Sequence, residues 1–338
     1  MNDRIDAKTA VSLLNGNPVE LGELADAFRR RLYGNRAHYT INAAITYSNT
    51  CEALCPICSF ARREGQDGAY VLTADEVHKR ALNFAAAGAL EIHIIGGIYS
   101  KLPLEYYVDV VKAAKSANPD FNIVAFTVSE CVLMSKISGK PLSKIYEILQ
   151  GAGVNALPGG GAEIFNPEVR KRITPNKLTG EEWLDAMRVA HKSGLKTNAT
   201  MLYGHIETPE DVADHLLKLR DLQDETGGFK AFVPLPFRKG KSEIASSSSA
   251  TYDVKICALA RVVLDNFPHI RVPITHFDER LVQVLLCFGA DDIGGTHWHE
   301  EVAVSAGAKA SDRDGKKLEF IIKSAGFEPV LTNSNYVS

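Results

Sequence analysis

Residues Thr40 to Phe60 read TINAAITYSNTCEALCPICSF, an apolar, β-rich run followed at once by three closely spaced cysteines. The β-branched character of Thr40 to Ser48 predicts a strand, and the polar residues after it predict a loop at the strand's carboxyl end. In an α/β barrel, loops at the carboxyl ends of the strands form the active face. The stretch therefore predicts a first barrel strand that carries Cys51, Cys55 and Cys58 to a functional face.

Further strand-like runs follow along the chain. They are Glu91 to Gly97, Asn122 to Val128, 154–158, 195–202, 229–237, 270–275 and 290–295. Helix start signals stand between them at Thr73 with Glu76, Pro103, Pro141, Thr179 with Glu182, and Thr208 with Pro209. This alternation predicts the α/β class and one (β/α)8 TIM-type barrel over residues 37–338, including a C-terminal helix, after an N-terminal helical extension over 1–36.

Composition excludes several classes of protein. The 338 residues include 38 basic and 41 acidic ones, so the net charge of −3 offers no electrostatic basis for binding nucleic acid or an anionic membrane. The 45% hydrophobic and 23% charged content excludes a disordered chain. No apolar run approaches the roughly 18 residues of a membrane span. We expect a cytoplasmic protein with a small-molecule partner.

The spacing C-x3-C-x2-C narrows the kind of site. Three thiolates this close can hold a cubane 4Fe–4S cluster, and three protein ligands leave one iron open to another molecule. A closed zinc site needs a fourth ligand, and the nearest histidine, His78, lies on the following helix. A two-cysteine redox motif would not need the third cysteine. The cysteines in apolar surroundings, which we expect to be buried, are Cys131, Cys257 and Cys287.

This motif, placed after the first strand of an α/β barrel, resembles the signature of the radical S-adenosylmethionine (SAM) superfamily. The resemblance implies that Cys51, Cys55 and Cys58 hold a 4Fe–4S cluster whose open iron binds the amino and carboxylate groups of SAM. One electron would then cleave SAM to methionine and a 5′-deoxyadenosyl radical, with flavodoxin or ferredoxin as the electron donor. Ile57 departs from the pattern, since an aromatic residue usually precedes the third cysteine.

Residues after strands two, three and four resemble the superfamily's cofactor-binding elements. Gly96 and Gly97 end IIGG, which is either a tight turn or the glycine motif that binds the methionine amino group. Glu130 and Glu163 follow the next two strands, where they would reach polar groups of the cofactor.

Two arginines follow the loop PGGGAEIF (158–165), and a guanidinium fork suits the methionine carboxylate. Helical periodicity places Arg170 and Arg172 on different faces, so the sequence leaves open which one points inward. The pattern V-R-x-x-I-x-P-x-K of related enzymes favours Arg170.

Longer segments resemble aminofutalosine synthases of menaquinone biosynthesis, among them ALPGGGAEIF (156–165) and TNATMLYGHIETPE (197–210). The resemblance implies that the 5′-deoxyadenosyl radical adds to the enol-ether double bond of an aryl substrate, 3-[(1-carboxyvinyl)oxy]benzoate. Rearrangement with loss of a carboxylate would give 6-amino-6-deoxyfutalosine, and SAM would be consumed as a cosubstrate.

The sequence departs from those synthases in four loops at the carboxyl ends of strands. They are GGIYS (96–100), PFRKGKS (236–242), VPITHFDER (272–280) and GTHWHEEV (295–302). Because such loops set specificity, a different substrate stays open. Tyr99, Arg238 and His276 lie in these loops and could each supply a polar contact to it.

Other polar residues have two interpretations. His205, after strand five, is either a hydrogen-bonded loop histidine or a substrate contact. His297 and His299 are too few ligands for a metal and favour a polar loop. Asp291 and Asp292, assigned to the end of strand eight, are either catalytic or cap the following turn.

Four alternative functions remain. A dehypoxanthine futalosine cyclase or a deazaflavin-forming synthase would share the cofactor residues. A non-catalytic iron–sulfur protein would usually complete four-cysteine ligation. A Schiff-base aldolase barrel would need a lysine at a strand's carboxyl end, whereas Lys230 begins strand six.

Overall fold

The computed structural model describes residues 4–336. Its strands are β1 (Arg36–Thr40), β2 (Asn42–Ser48), β3 (Glu91–Gly96), β4 (Asn122–Ala125), β5 (Ala156–Leu157), β6 (Lys196–Tyr203), β7 (Phe229–Pro236), β8 (His269–Ile270), β9 (Asp292–Gly295) and β10 (Glu328–Leu331). Its helices are α1 (Ala7–Asn15), α2 (Pro18–Tyr33), α3 (Ala74–Ala86), α4 (Leu104–Ala117), α5 (Val128–Ser138), α6 (Leu142–Ala152), α7 (Pro167–Ile173), α8 (Gly180–Lys192), α9 (Pro209–Thr226), α10 (Ala250–Val263), α11 (Glu279–Cys287), α12 (Glu301–Ser305) and α13 (Gly315–Ser324).

Helix boundaries follow local signals in the sequence. The capping boxes predicted at Thr73 and Thr179 are confirmed, since each threonine side chain accepts a hydrogen bond from the backbone N–H three residues later. Thr208 caps α9 with Pro209 in its first turn, as predicted. These signals fix where each connection between strand and helix ends.

Seven parallel strands, β2 to β8, form one sheet in chain order. In its register, Ile94 of β3 lies between Ile45 of β2 and Ala125 of β4. Strand β1 lies in a second parallel sheet, between β10 and β9. The predicted α/β class with parallel strands is confirmed.

The barrel is not closed by continuous strand pairing. Isolated bridges connect the two sheets at Arg271–Asp292 and Ala43–Trp298. Strand β8 is short, and Pro273, which has no backbone N–H, follows it closely. At the other seam, the Thr296 hydroxyl accepts from the Asn42 N–H and donates to the Asn42 carbonyl, which also accepts from the Trp298 N–H at 3.1 Å. The predicted eight-stranded order is therefore present, with two weak seams.

Several strand boundaries differ from the prediction. The predicted strand Thr40 to Ser48 is two strands, because β1 and β2 belong to different sheets. The predicted strand Asn122 to Val128 stops at Ala125, since Thr127 already caps α5. Strand β10 has no clear local signal, because it depends on long-range pairing with β1.

The N-terminal helices α1 and α2 pack on the outside of the barrel against α9 and α10. Gly22 of α2 lies so close to the Phe288 ring that a Cβ there would collide with it. No helix within residues 4–336 has both the length and the apolar character needed to cross a membrane.

The segment after β10 covers the amino-terminal ends of the strands. The Ser334 backbone N–H donates to Glu91, and the Tyr336 hydroxyl donates to Asp292, both at 2.6 Å. Glu91 and Asp292 begin β3 and β9, so these contacts lie at the end opposite the cysteines.

Candidate active site

The three cysteines lie on a loop, residues 49–62, that follows β2 and is called here the cysteine loop. The Cys51 N–H donates to the Arg62 carbonyl, and the Cys58 N–H donates to the Cys55 carbonyl, both at 2.9 Å. The Arg62 guanidinium also donates to three carbonyls within the loop, at residues 59, 60 and 61. The loop is therefore fixed largely by its own hydrogen bonds.

The three cysteine sulfurs line one cavity without converging on a single point. Within residues 4–336, one group of at least three His, Cys, Asp or Glu ligand atoms lies within 4.8 Å of one another, and it does not include the cysteines. One zinc ion with Zn–S bonds of about 2.3 Å would need sulfurs roughly 4 Å apart. The three sulfurs are therefore not arranged as a single zinc ion would require.

Burial, a nearby charge and hydrogen-bond donors act on the cysteine sulfurs. Burial raises the pKa of the Cys55 thiol to about 11, and the charge of Lys177 acts against this rise. Backbone N–H groups donate to the sulfurs of Cys51 and Cys58 at 3.4 Å. Such donors to cluster sulfurs are one means by which proteins set a reduction potential. Away from this loop, Cys131 and Cys257 are buried as predicted, whereas Cys287 is exposed.

A cavity of about 380 Å³ opens beside the cysteine loop. Of the predicted site residues, the cysteines, Gly96, Gly97 and Glu163 line it. Its apolar wall includes Ile57, Phe60, Leu202, Leu235, Phe237 and Val302. Its charged lining comes from Glu163, Lys177, Arg238 and Glu300. The cavity therefore joins the cysteines to an apolar surface suited to an aromatic molecule.

Gly96 and Gly97 are required by close packing at the end of β3. A Cβ at Gly96 would collide with the Tyr47 ring, and one at Gly97 would collide with the Thr50 carbonyl. The Gly97 N–H donates to the Ser48 carbonyl at 2.9 Å. The glycines thus allow β3 to approach the cysteine loop, and their contact with a cofactor stays a prediction.

Glu130 is fully buried, and protein groups occupy its carboxylate. The carboxylate accepts from the Tyr47 hydroxyl at 2.7 Å, from the Thr127 N–H and hydroxyl at 2.7 Å, and from the Gly96 N–H at 3.1 Å. Burial raises the pKa of Glu130 to about 7, although these hydrogen bonds oppose the rise. Instead of facing the cavity as predicted, Glu130 supports Gly96 from behind the cavity wall.

Glu163 faces the cavity and pairs with Lys177 at 3.0 Å. Its φ of 46° is left-handed, a conformation that non-glycine residues adopt rarely and often at functional sites. Burial favours a raised pKa for Glu163, but the Lys177 ammonium outweighs it and the net pKa is lowered. Burial likewise opposes the charge of Lys177, but Glu163 and Cys55 raise its pKa overall. Both side chains are therefore charged at neutral pH.

Lys177 has no assigned role in the sequence-based prediction. It occupies the final position of the V-R-x-x-I-x-P-x-K pattern that singled out Arg170. The pattern therefore marked this position, but no local feature of the sequence indicates that a lysine there points inward.

Arg170 is buried as predicted, whereas Arg172 is exposed. The Arg170 guanidinium does not line the cavity, because it donates to backbone carbonyls of the surrounding loop. Its acceptors are Gly161 at 3.2 Å, Ile164 and Leu178 at 3.1 Å, and Ala162. Instead of binding a carboxylate as predicted, Arg170 shapes the loop that carries Glu163.

Of the residues singled out in the altered loops, Arg238 and His276 line the cavity. Tyr99 does not line it, and its hydroxyl donates to Glu64 at 2.7 Å, just beyond the cysteine loop. The altered segment GGIYS holds the cysteine loop through Ile98, whose carbonyl accepts from the Glu52 N–H at 2.7 Å and whose N–H donates to the Cys51 sulfur at 3.4 Å. Glu300, which the sequence did not single out, reaches the cavity from GTHWHEEV.

The other histidines singled out in the sequence, His205, His297 and His299, lie in loops. His205 does not line the cavity: its Nδ1 lies 2.9 Å from Glu207, and its Nε2 bonds a backbone carbonyl. This is the first of its two interpretations, a hydrogen-bonded loop histidine. His297 and His299 have φ angles of 44° and 58°, so they lie in a loop, as predicted, and not on an extended strand.

Asp291 and Asp292 lie at the start of β9, not at the end of a strand, and so are remote from the cavity. Asp291 pairs with Arg261, and Asp292 pairs with Arg271 at 2.8 Å. The Asp291 carboxylate also contacts two histidines, His38 at 3.4 Å and His269 at 2.5 Å. These contacts stabilise the amino-terminal end of the barrel.

Comparison with known families and proteins gives two family matches. Residues 45–219 match the family model described as the radical SAM superfamily. Residues 226–338 match the family model described as the CofH/MqnC C-terminal region.

Among curated proteins, the chain is 38% identical to the aminodeoxyfutalosine synthase of Thermus thermophilus, over 94% of this chain and 87% of that protein. It is 34% identical to the 5-amino-6-(D-ribitylamino)uracil–L-tyrosine 4-hydroxyphenyl transferase of Methanopyrus kandleri, over 98% of this chain and 93% of that protein. The two types of enzyme are similarly close to it.

Solved structures show the same fold at low sequence identity. A HydG maturase of the [FeFe]-hydrogenase covers 99% of this chain and 74% of its own, with a TM-score of 0.76 and 18% identity. Methylornithine synthase (PylB) covers 99% of this chain and 96% of its own, with a TM-score of 0.75 and 16% identity.

Proposed function

Since the chain belongs to the radical SAM superfamily, whose cofactors are a 4Fe–4S cluster and SAM, we propose that Cys51, Cys55 and Cys58 hold the cluster. Their position on one loop after β2, where all three line the same cavity, supports this assignment. We propose that Gly96, Gly97 and Glu163 contact SAM, because they line the same cavity as the cysteines. When bound, the cluster and SAM supply a 5′-deoxyadenosyl group for radical transfer.

The reaction we propose is that of an aminofutalosine synthase. The adenosyl group would be joined to the vinyl carbon of 3-[(1-carboxyvinyl)oxy]benzoate, and 6-amino-6-deoxyfutalosine would form with loss of a carboxylate. Methionine would be released because the sulfur–carbon bond of SAM breaks. The 38% identity to an aminodeoxyfutalosine synthase over 94% of the chain supports this choice.

The observation that carries the proposal is the continuity of the cysteine side and the apolar wall within one cavity. An aryl ring against Leu202, Leu235 and Phe237 would lie beside the adenosyl group without water between them. Exclusion of water protects a reactive species from side reactions. The protein's own contribution is thus positioning and shielding.

The charged pair of Glu163 and Lys177 would orient the polar parts of SAM. The left-handed backbone at Glu163 and the four carbonyls fixed by Arg170 hold this part of the wall in one conformation. Glu130 would act on SAM indirectly, because it accepts a hydrogen bond from the Gly96 N–H and so holds Gly96 in position. Each residue binds or positions, and none needs to transfer a proton.

A second candidate is the 4-hydroxyphenyl transferase type of reaction. Its support is the 34% identity over 98% of the chain to a relative named for L-tyrosine and 5-amino-6-(D-ribitylamino)uracil. L-Tyrosine also has an aromatic ring that would suit the apolar wall. The altered loops around the cavity allow either substrate.

A small one-electron protein such as flavodoxin or ferredoxin is the proposed reductant. It would approach near Cys58, which is exposed, whereas Cys55 is buried.

Parallel product assays test the proposal. The anaerobically reconstituted protein is given SAM with either 3-[(1-carboxyvinyl)oxy]benzoate or the pair L-tyrosine and 5-amino-6-(D-ribitylamino)uracil, and products are identified by mass spectrometry. We expect 6-amino-6-deoxyfutalosine from the first mixture. A product from the second mixture alone would assign the transferase reaction instead.

A further inference from the structure

Arg238 stands where the cavity meets a second cavity of about 1030 Å³. The residues that line both are Pro236, Phe237, Arg238, His276 and Ala306. Arg238 follows the carboxyl end of β7, so the sheet positions its backbone at the junction of the two cavities. The second cavity has a more polar lining, including Ser246, Ser248, Asp253 and Thr275.

The guanidinium of Arg238 is largely unpartnered. Within residues 4–336 its hydrogen-bond acceptor is the His276 carbonyl, which accepts from Nη2 at 2.8 Å. Its Nε is buried and has no hydrogen-bond partner there. No carboxylate of these residues lies within 4.0 Å of it, whereas the cavity's other cation, Lys177, is paired with Glu163.

Neighbouring groups compensate the positive charge of Arg238 only in part, since Asp253 interacts with it electrostatically without forming an ion pair. Burial lowers the pKa of His276 to about 4, with Arg238 adding to the effect, so this histidine is neutral at pH 7. Asp253, in the second cavity, already accepts from the Tyr203 hydroxyl at 2.8 Å and the Ser248 hydroxyl at 2.6 Å. Glu300 accepts from two backbone N–H groups at the start of α12.

A bound carboxylate would be reached by Nη1 of Arg238, which is not buried and has no hydrogen-bond acceptor within residues 4–336. Guanidinium groups match carboxylates in geometry as well as charge. The apolar wall beside Arg238 suits a hydrophobic body attached to that carboxylate.

We propose that Arg238 is a specificity-determining residue that binds the carboxylate of an aromatic substrate where the two cavities meet. The ring would be directed along the apolar wall toward the cysteines. The proposal rests on the proposed function and adds the residue that anchors the carboxylate of the substrate.

Binding of benzoate and of benzamide tests this proposal, because the two molecules share a ring and size but differ in charge. The probes are titrated anaerobically into the cluster-loaded, SAM-bound protein, with affinity measured by ligand-observed NMR. We expect Arg238→Gln to weaken benzoate binding by roughly 10- to 100-fold and to leave benzamide binding nearly unchanged. Arg238→Lys should restore part of the affinity, since it keeps the charge.

The matched control is Lys239→Gln, which removes an exposed cation that lines the second cavity alone. It should leave both affinities unchanged. Equal benzoate affinity in wild type and Arg238→Gln, an equal loss for benzamide, or no benzoate binding by wild type would each overturn the proposal.

Failure of the proposed function gives a different result. In that case, charge-dependent benzoate binding persists while wild type makes no 6-amino-6-deoxyfutalosine. Conversely, if that product forms and Arg238→Gln leaves the KM for the enolpyruvyl benzoate unchanged, the function stands and the Arg238 site is wrong.

Discussion

Charged side chains near the cavity differ in how far the protein itself satisfies them. Protein donors occupy both oxygens of Glu130, and backbone carbonyls occupy Arg170. Glu163 instead has one ion-pair partner and faces the cavity, and Arg238 has one backbone acceptor. The first pair therefore builds the wall, and the second pair is free to meet a ligand.

We expect the cysteines of the cysteine loop to be required for the cluster and the other three to be dispensable. Replacing Cys51, Cys55 or Cys58 by Ala should each remove the cluster and abolish SAM cleavage, because three thiolates are the minimum set that holds it. Iron and sulfide content with electron paramagnetic resonance checks this. The controls are Cys131→Ala, Cys257→Ala and Cys287→Ala, which should keep the cluster. Loss of the cluster in a control would mean a fourth protein ligand and no open iron.

Glu163→Gln should keep the cluster but weaken SAM binding about tenfold. The substitution removes a charge from the cavity and leaves Lys177 without its partner, which costs on the order of 1–2 kcal/mol at a charged hydrogen bond. Equilibrium binding of SAM measures the effect. Glu147→Gln, on the exposed face of α6, is the control. Unchanged SAM affinity would make Glu163 a structural residue.

At the scale of secondary-structure elements, the cavity is built by joining β3, the cysteine loop and α5. Glu130 connects β3 and α5, because it caps α5 through Thr127 and also accepts from Gly96 at the end of β3. Glu76 has the same capping position on α3 but lies at the surface. Comparing substitutions at the two glutamates therefore separates the stability that a helix cap contributes from the stability that the link between β3 and α5 contributes.

Glu130→Gln should destabilise the protein by about 1–3 kcal/mol, and Glu76→Gln by less than about 0.5 kcal/mol. The Glu130 oxygens face the N–H groups of Gly96 and Thr127, so a glutamine NH2 must oppose one donor. At Glu76 one oxygen accepts both bonds from Thr73, which leaves the other free for an NH2 group. Urea unfolding measures both; equal costs would contradict a connecting role for Glu130.

Local signals in the sequence predicted most helices and the order of the strands. Capping residues such as Thr73 and Thr179 act within one turn, so their effect can be recognised without the fold. Contacts between distant segments determine the features that were not predicted. These are the break between β1 and β2, strand β10 and the inward orientation of the Lys177 side chain. The cysteine spacing identified the centre of the site, but the roles of Glu130 and Arg170 required their actual partners.

On the scale of the whole molecule, one end of the barrel stabilises the fold and the other end carries the candidate active site. The amino-terminal end is filled by ion pairs such as Arg271 with Asp292 and is covered by the segment after β10. The carboxyl end carries the cavity and the altered loops. We propose that residues 37–338 act as one catalytic domain and that residues 1–36 are a packed extension.

Burial of His215 should make its contribution to stability fall as the pH is lowered from about 6.5 to 4. Burial lowers the pKa of His215 to about 3, so the unfolded chain takes up a proton that the native state excludes. Stability then decreases by up to about 1.4 kcal/mol per pH unit for this histidine. His215→Gln, which keeps a donor for the Thr200 carbonyl, should reduce this slope. Urea unfolding at pH 7 and pH 4.5 checks the prediction; an unchanged slope would contradict it.

The central claim is that this barrel transfers the adenosyl group of SAM to an aryl enol ether. The most direct test gives the reconstituted protein SAM labelled in its adenosyl group, together with 3-[(1-carboxyvinyl)oxy]benzoate, and follows the label by mass spectrometry. We predict that most of the label appears in 6-amino-6-deoxyfutalosine. Label found almost entirely in free 5′-deoxyadenosine would contradict the account, because it would indicate hydrogen abstraction instead of addition.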